Sequence, residues 1–373
     1  MFLKAIISII FSPIILIGQI FTASKPEVYI APKEPVATTT RTAVSNIIAS
    51  STNTTKQVEK VATTTEPKKV VKVESKPVVK TEPIKVVSAS PADFDLINTN
   101  SRKTIVNIFC TTKYNDLSPI SGTGVVIDEK GLILTNAHIA QYFLLKDFRE
   151  KDYLKCIGRT GSPAYPKYNL ELVYISPNWV KQNKTLLKDQ NPKGTGESDF
   201  AFLRITGLID GSTQNTGYTH IQPNNRAYVE IGEPVLLASY PAGFLGGLSI
   251  IQNLNVASSV TTIQDVFTFR EGTIDLLSVG GTIVSQKGSS GGLVVDETTS
   301  LIGIITTSSD GDTTSSRGLN AITISHIDRE IQSELKTTLT GFLSLDHKNF
   351  AENFTTSTAP ELTKLITDEL LKQ

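Results

Sequence analysis

The chain has 373 residues with 36 Lys+Arg against 36 Asp+Glu, and it is 39% apolar, 7% aromatic and 19% charged. A balance this even excludes a nucleic-acid binder that works through bulk charge, and the length suggests two or three domains of ordinary size. The balance is itself a sum of unlike parts: residues 25–90 hold eleven basic residues and six Glu, net +5, Lys4 adds one, and the remainder carries 24 basic and 30 acidic groups, net −6.

Residues 1–24 have one charge, Lys4, followed by the apolar run Ala5-Ile-Ile-Ser-Ile-Ile-Phe-Ser-Pro-Ile-Ile-Leu-Ile17, and read as a signal peptide or a membrane anchor. The uncharged run approaches the length of a transmembrane helix, whereas Pro13 and Gly18 divide it as in a signal peptide. Residues 25–92 are Thr, Val, Lys and Pro with scattered Glu, as in Ala37-Thr-Thr-Thr and Lys72-Val-Glu-Ser-Lys-Pro. They lack the large side chains that a core needs, so they read as a disordered linker. A flexible chain of that length spans on the order of 45 Å root-mean-square. A long linker serves more purpose with one end fixed, so a membrane-anchored protein of the cell envelope is preferred over one secreted after signal cleavage.

From Ser101 onward, short β-branched runs alternate with Gly, Asn, Pro and Asp: 104–110, 124–128, 132–136, 153–158, 170–175, 200–205, 234–239, 248–258, 278–284, 292–296, 301–307 and 318–324. A dozen short strands between turn signals predict an all-β sandwich or barrel. Helical periodicity comes at the end. Ile327, Ile331 and Leu335 mark one face of 326–339, and Leu362, Leu365, Ile366 and Leu370 one face of 360–371.

Two cysteines 46 positions apart and four scattered histidines, His138, His220, His326 and His347, offer no zinc-ligand spacing. There is no GxxxxGK[ST] and no strand-linked GxGxxG, so neither a metal nor a nucleotide cofactor is expected. Three contexts remain. Gly288-Ser-Ser-Gly-Gly292 sets Ser290 in a glycine-rich turn whose backbone N–H groups can converge on an oxyanion. Leu132-Ile-Leu-Thr-Asn-Ala-His138 runs an apolar strand into a histidine, and Ser198-Asp-Phe-Ala-Phe-Leu-Arg204 opens a strand with Asp199. Each alone is an ordinary turn or strand end; together, His138, Asp199 and Ser290 stand in the chain order of a chymotrypsin-type triad.

At this point the sequence resembles a family. The stretch from Gly122-Thr-Gly-Val-Val-Ile to His138 is similar to the first-lobe strands of trypsin-like serine proteases, most closely the HtrA-type (Deg) branch. Ser198–Ile205, Gly232-Glu-Pro-Val-Leu-Leu-Ala-Ser-Tyr-Pro-Ala-Gly243, and Gly288–Val295 with Leu301-Ile-Gly-Ile304 continue the resemblance in the same order over roughly residues 100–330. It implies two six-stranded antiparallel β-barrels, a chymotrypsin-like double barrel, with C-terminal helices behind the disordered linker. The protease domain would span 93–330 and a helical extension 331–373.

By the same resemblance Ser290 is the nucleophile, His138 the general base and then acid, and Asp199 the group that orients the imidazole. Gly288 and Ser290 donate the oxyanion hole, and no cofactor is needed. Substrates are proteins or peptides, unfolded or extended; the membrane is met through the N-terminal segment, and homo-oligomerisation is left open. The S1 pocket would lie around Val284, Ile305, Thr306 and Thr307. With Val284 where a basic-selective enzyme has a carboxylate, a small-to-medium apolar P1 residue is expected. Cys110 and Cys156 would sit on neighbouring strands of the first barrel, either bridged or as two buried thiols. Two departures stand out. Only 43 residues follow Glu330, too few for the PDZ domain usual in the branch, and Ser289 replaces the Asp that digestive enzymes pair with a new N-terminus. The competing reading is a catalytically silent, protease-like peptide-binding module tethered to the envelope; a tethered structural surface protein has only the linker in its favour.

Overall fold

The computed structural model describes residues 92–114, 117, 119–188, 194–214, 216–308 and 317–372, all within one unit spanning Ile84–Gln373. The segment read as signal or anchor, and the linker up to residue 91, lie outside them. No helix among the described residues is long and apolar enough to cross a membrane.

Six antiparallel strands close a first barrel in the order β1-β2-β3-β6-β5-β4. They are β1 (Ile105–Thr112), β2 (Ile120–Val126), β3 (Leu132–Thr135), β4 (Leu154–Thr160), β5 (Tyr165–Ile175) and β6 (Ala201–Leu208). Every residue of β3 is buried, because both of its faces are covered. That is why Leu132-Ile-Leu reads as a continuous apolar run and not as an alternation. Cys110 faces Cys156 in the β1–β4 register, and their sulfurs are bonded.

The second sheet has seven strands in the order β8-β7-β11-β12-β13-β10-β9. They are β7 (Pro234–Ser239), β8 (Ala257–Thr262), β9 (Asp265–Phe267), β10 (Leu276–Ser278), β11 (Leu293–Val295), β12 (Leu301–Ser308) and β13 (Leu319–Thr323). This differs from a closed six-stranded barrel for a local reason. The strand through β8 and β9 breaks at Ile263–Gln264, where Ile263 N–H donates to Glu233 O and Gln264 N–H to Ser278 O. Its first half therefore pairs with β7 and its second with β10, so one bent strand serves both edges of a curled sheet.

The run 248–258, read as one strand, is in fact a short helix, α4 (Gly247–Gln252), followed by the start of β8. Leu248 and Ile251 are more than half exposed, so their apolar character is not spent on a sheet. The buried guanidinium of Arg159 donates to the carbonyls of Ile250 and Ile251, which satisfies the end of this helix.

Other helices lie before, between and after the strands: α1 (Phe94–Ser101), α2 (Ala137–Ala140), α3 (Pro177–Asn183), α5 (Ile324–Leu335), α6 (Leu339–Leu343), α7 (His347–Ser357) and α8 (Ala359–Leu371). The helix expected over 326–339 stops at Leu335, where Lys336 turns left-handed, and re-forms at α6 with Thr338 as its cap. α7 was not visible as a period in the sequence. Its Phe350 and Phe354 pack edge-on against Tyr174 of β5, while Phe342 of α6 stacks on Phe202 of β6 at 4.7 Å. The helices thus cover the outer face of the first barrel. Phe342 has no exposed surface, so Phe342→Ala is expected to destabilise the fold by about 3–5 kcal/mol in denaturant unfolding; a loss under about 1 kcal/mol would mean that the helices are dispensable to the barrel.

Candidate active site

His138 lies in α2, three residues beyond the end of β3, and Asp199 lies two before β6. Thr135 of β3 pairs with Ala201 of β6, so that register brings the two side chains out at the same end of the first barrel. The imidazole Nδ1 is 2.8 Å from Asp199 Oδ2, and the His138 backbone N–H donates to Asp199 Oδ1 at 2.9 Å. Asn136 Nδ2 holds the Asp199 carbonyl at 2.9 Å. From the second sheet, the Thr306 hydroxyl of β12 donates to Asp199 Oδ2 at 2.8 Å.

Asp199 is nearly enclosed, its side chain only 6% exposed against 25% for His138. Burial alone would push its carboxyl up. The charge of His138 and the hydrogen bonds from His138 and Thr306 outweigh that and hold it below the ordinary carboxylate range. With Nδ1 committed to Asp199, Nε2 is the ring nitrogen left for proton exchange.

Ser290 sits in the turn that leads into β11. Gly288 and Gly291 both have positive φ, +93° and +83°. At Gly291 a Cβ would stand 1.9 Å from Thr123 O and 2.6 Å from Thr135 Oγ1, so both backbone angle and space require glycine. Thr123 of β2 fastens the turn to the first barrel. Its N–H donates to Ser290 O and its hydroxyl to Gly288 O, each at 2.8 Å. On the other side Gly291 N–H donates to Ile305 O, and Ile305 N–H to Gly292 O. Ile305 immediately precedes Thr306, so one strand of the second sheet holds both the Ser290 turn and the Asp199 carboxylate.

The turn also leaves two donors open. The N–H groups of Ser289, Gly291 and Gly292 go to Gln286 O, Ile305 O and Ser289 O, whereas those of Gly288 and Ser290 donate to no atom among the described residues. Ala242 N–H donates to Lys287 O at 2.7 Å. Because that peptide is trans, the Gly288 N–H points the opposite way. At Ser289 the buried hydroxyl accepts from Ser239 Oγ at 2.9 Å, fixing the turn internally.

The residues expected at S1 are placed differently from one another. Val284 and Ile305 pack in the core of the second sheet, Thr306 is spent on Asp199, and Thr307 continues β12. Of the other histidines, His326 contacts Asp275, His347 contacts Phe342 O, and His220 contacts Tyr218 O. No cluster able to hold a metal occurs among the described residues. Sequence reasoning missed Thr123, Asn136 and Ser239. Thr123 did lie inside the quoted Gly122-Thr-Gly stretch, but its two-sided hydrogen bonding depends on a partner 165 residues away.

Residues 122–304 match the family model described as the trypsin-like peptidase domain, a span that contains His138, Asp199 and Ser290. No curated protein matches the chain. Thr306→Val keeps the shape of the side chain and removes a hydrogen bond to a buried carboxylate, which is worth about 1.5–3 kcal/mol. Turnover of a peptide substrate should fall by roughly tenfold or more, with an unchanged kcat showing that the Thr306 bond is irrelevant to the site.

Proposed function

We propose, for a chain whose residues 122–304 belong to the trypsin-like peptidase family, that it is a serine endopeptidase working through His138, Asp199 and Ser290. The observation that carries this reading is the buried Asp199 carboxylate, which fixes the imidazole through Nδ1 while Ser290 is held in a glycine turn two of whose N–H groups donate to no atom among the described residues.

In this mechanism Ser290 Oγ attacks the carbonyl carbon of the scissile peptide and its proton passes to His138 Nε2. Negative charge moves to the carbonyl oxygen, where the N–H groups of Gly288 and Ser290 stabilise it. Collapse of the tetrahedral intermediate breaks the C–N bond, and the amine leaves with the proton from Nε2. Water then repeats the sequence on the acyl-enzyme, giving the acid and restoring Ser290. Asp199 stays ionised throughout and stabilises the imidazolium. Its depressed carboxyl is consistent with that role.

The four collinear sequence blocks support the HtrA-type branch and, by analogy, unfolded or extended protein substrates. A location at the cell envelope rests on the N-terminal sequence alone. The segment 284–289 leading to Ser290 carries no carboxylate, so a small-to-medium apolar P1 is the preference to look for; a peptide library cleaved mainly after Arg, Lys or Glu would exclude it.

The direct test compares the full chain with its Ser290→Ala form for fluorophosphonate labelling and casein cleavage. Labelling of the wild type alone, with cleavage lower in the variant by about 10³-fold or more, is the expected result. Equal labelling of both, or of neither, would return the chain to a silent peptide-binding module.

A further inference from the structure

The residue before Asp199 is held in an unusual way. Ser198 adopts a left-handed backbone, φ +55°, which a side chain other than glycine takes up only at a cost. Its hydroxyl is buried and donates to Glu330 Oε2 of α5 at 2.9 Å. Glu330 is only 6% exposed, a costly place for a carboxylate unless it is paired. Its other oxygen, Oε1, takes an ion pair from Arg270 Nη2 at 3.1 Å, with the Arg270 side chain mostly in solvent. The cation offsets the negative charge of the buried Glu330. The remaining partner, Ser198, has no charge to neutralise, so this contact serves geometry.

α5 is in turn fastened along its length. One turn before Glu330, His326 Nδ1 meets Asp275 Oδ1 at 3.0 Å, and Arg329 binds the same carboxylate. Asp275 also accepts from the Phe269 N–H and the Thr273 hydroxyl, so the loop that delivers Arg270 is wrapped around it. One turn after Glu330, Glu334 takes hydrogen bonds from Tyr174 and Ser176 of the first barrel. Glu330 is therefore the middle of a helix pinned to the second sheet at one end and to the first barrel at the other.

We infer that Glu330 is a positioning residue for the Asp199–His138 pair: through the Ser198 hydroxyl it fixes the left-handed step from which Asp199 presents its carboxylate to His138 and Thr306. This rests on the reading of His138, Asp199 and Ser290 as a triad. It adds a group that touches none of the three. Hydrogen bonds in which the acceptor is ionised are roughly twice as strong as neutral ones, which suits a latch that must hold a strained step. A displacement of the carboxylate by a fraction of an ångström is enough to matter, since misplacement by about 1 Å can cost about 10²-fold in rate.

The experiment uses the full chain with four substitutions. Ser198→Gly accepts the positive φ without strain and removes the hydroxymethyl group, and with it the hydrogen bond to Glu330. Glu330→Leu removes the acceptor, while Glu330→Gln keeps an acceptor oxygen; Arg270→Gln leaves the carboxylate and removes its counter-charge. Two readouts are taken, steady-state kinetics on a peptide substrate and solvent exchange of the low-field proton of the His138 Nδ1–H···Asp199 bond, the second in a Ser290→Ala background that needs no turnover.

Ser198→Gly and Glu330→Leu should each lower kcat by about tenfold with KM changed less than about twofold, and should speed exchange of that proton by about tenfold. Glu330→Gln should recover kcat to within about threefold of wild type, and Arg270→Gln should give an intermediate loss. If Glu330→Leu fails to fold, Ser198→Gly decides. A folded Ser198→Gly chain with wild-type kcat and an unchanged proton overturns the inference. Failure of the wild type to react with a fluorophosphonate would instead count against the triad, and the proton exchange would still decide the role of Glu330.

Discussion

The site depends on one buried carboxylate. Asp199 takes the His138 N–H and imidazole on the side of the first barrel and the Thr306 hydroxyl from the second sheet. An ionised group shut away from water is tolerated only when its acceptor capacity is filled, and here the donors come from both halves of the protein. Loosening either half leaves the charge underpaired, so the two sheets and the imidazole are set by the same requirement.

The second half of the site is coupled to the first through backbone contacts. Thr123 ties the Ser290 turn to β2, and Ile305 ties it to the strand that carries Thr306. Gly291 passes so close to Thr123 and Thr135 that no side chain fits. The turn has little freedom relative to Asp199, which is what preorganised oxyanion stabilisation asks for. Outside this contact the protein is conventional in its energetics. An aromatic layer of Tyr174, Phe202, Phe342 and Phe354 seals the first barrel under the C-terminal helices, and a bent β8–β9 strand serves both edges of the second sheet.

Much of this was legible in the sequence because it is local. Short β-branched runs between Gly, Pro and Asn mark most strands, and the contexts of His138, Asp199 and Ser290 are contiguous motifs. What was not legible depends on distant partners. Leu248-Ser-Ile-Ile looks like a strand, yet becomes α4 because Arg159, about ninety residues away, donates to its terminal carbonyls. α7 escapes notice because its apolar face is thin and is completed by Tyr174. Thr306 is expected from the sequence only at the pocket, and its hydroxyl donates to Asp199. That role follows from the β12–β13 and β11–β12 pairings, which no local pattern encodes.

The central claim is that Ser290, with the N–H groups of Gly288 and Ser290 and with His138 Nε2, forms one reaction centre around the Asp199 anchor. A crystal structure of the full chain after reaction with a fluorophosphonate tests this most directly. The account requires phosphorus bonded to Ser290 Oγ and a phosphonyl oxygen within about 3.2 Å of both N–H groups. It also requires His138 Nε2 beside the ester oxygen and Nδ1 still on Asp199. Phosphorus on another residue, or a phosphonyl oxygen turned away from Gly288 N–H, would contradict it.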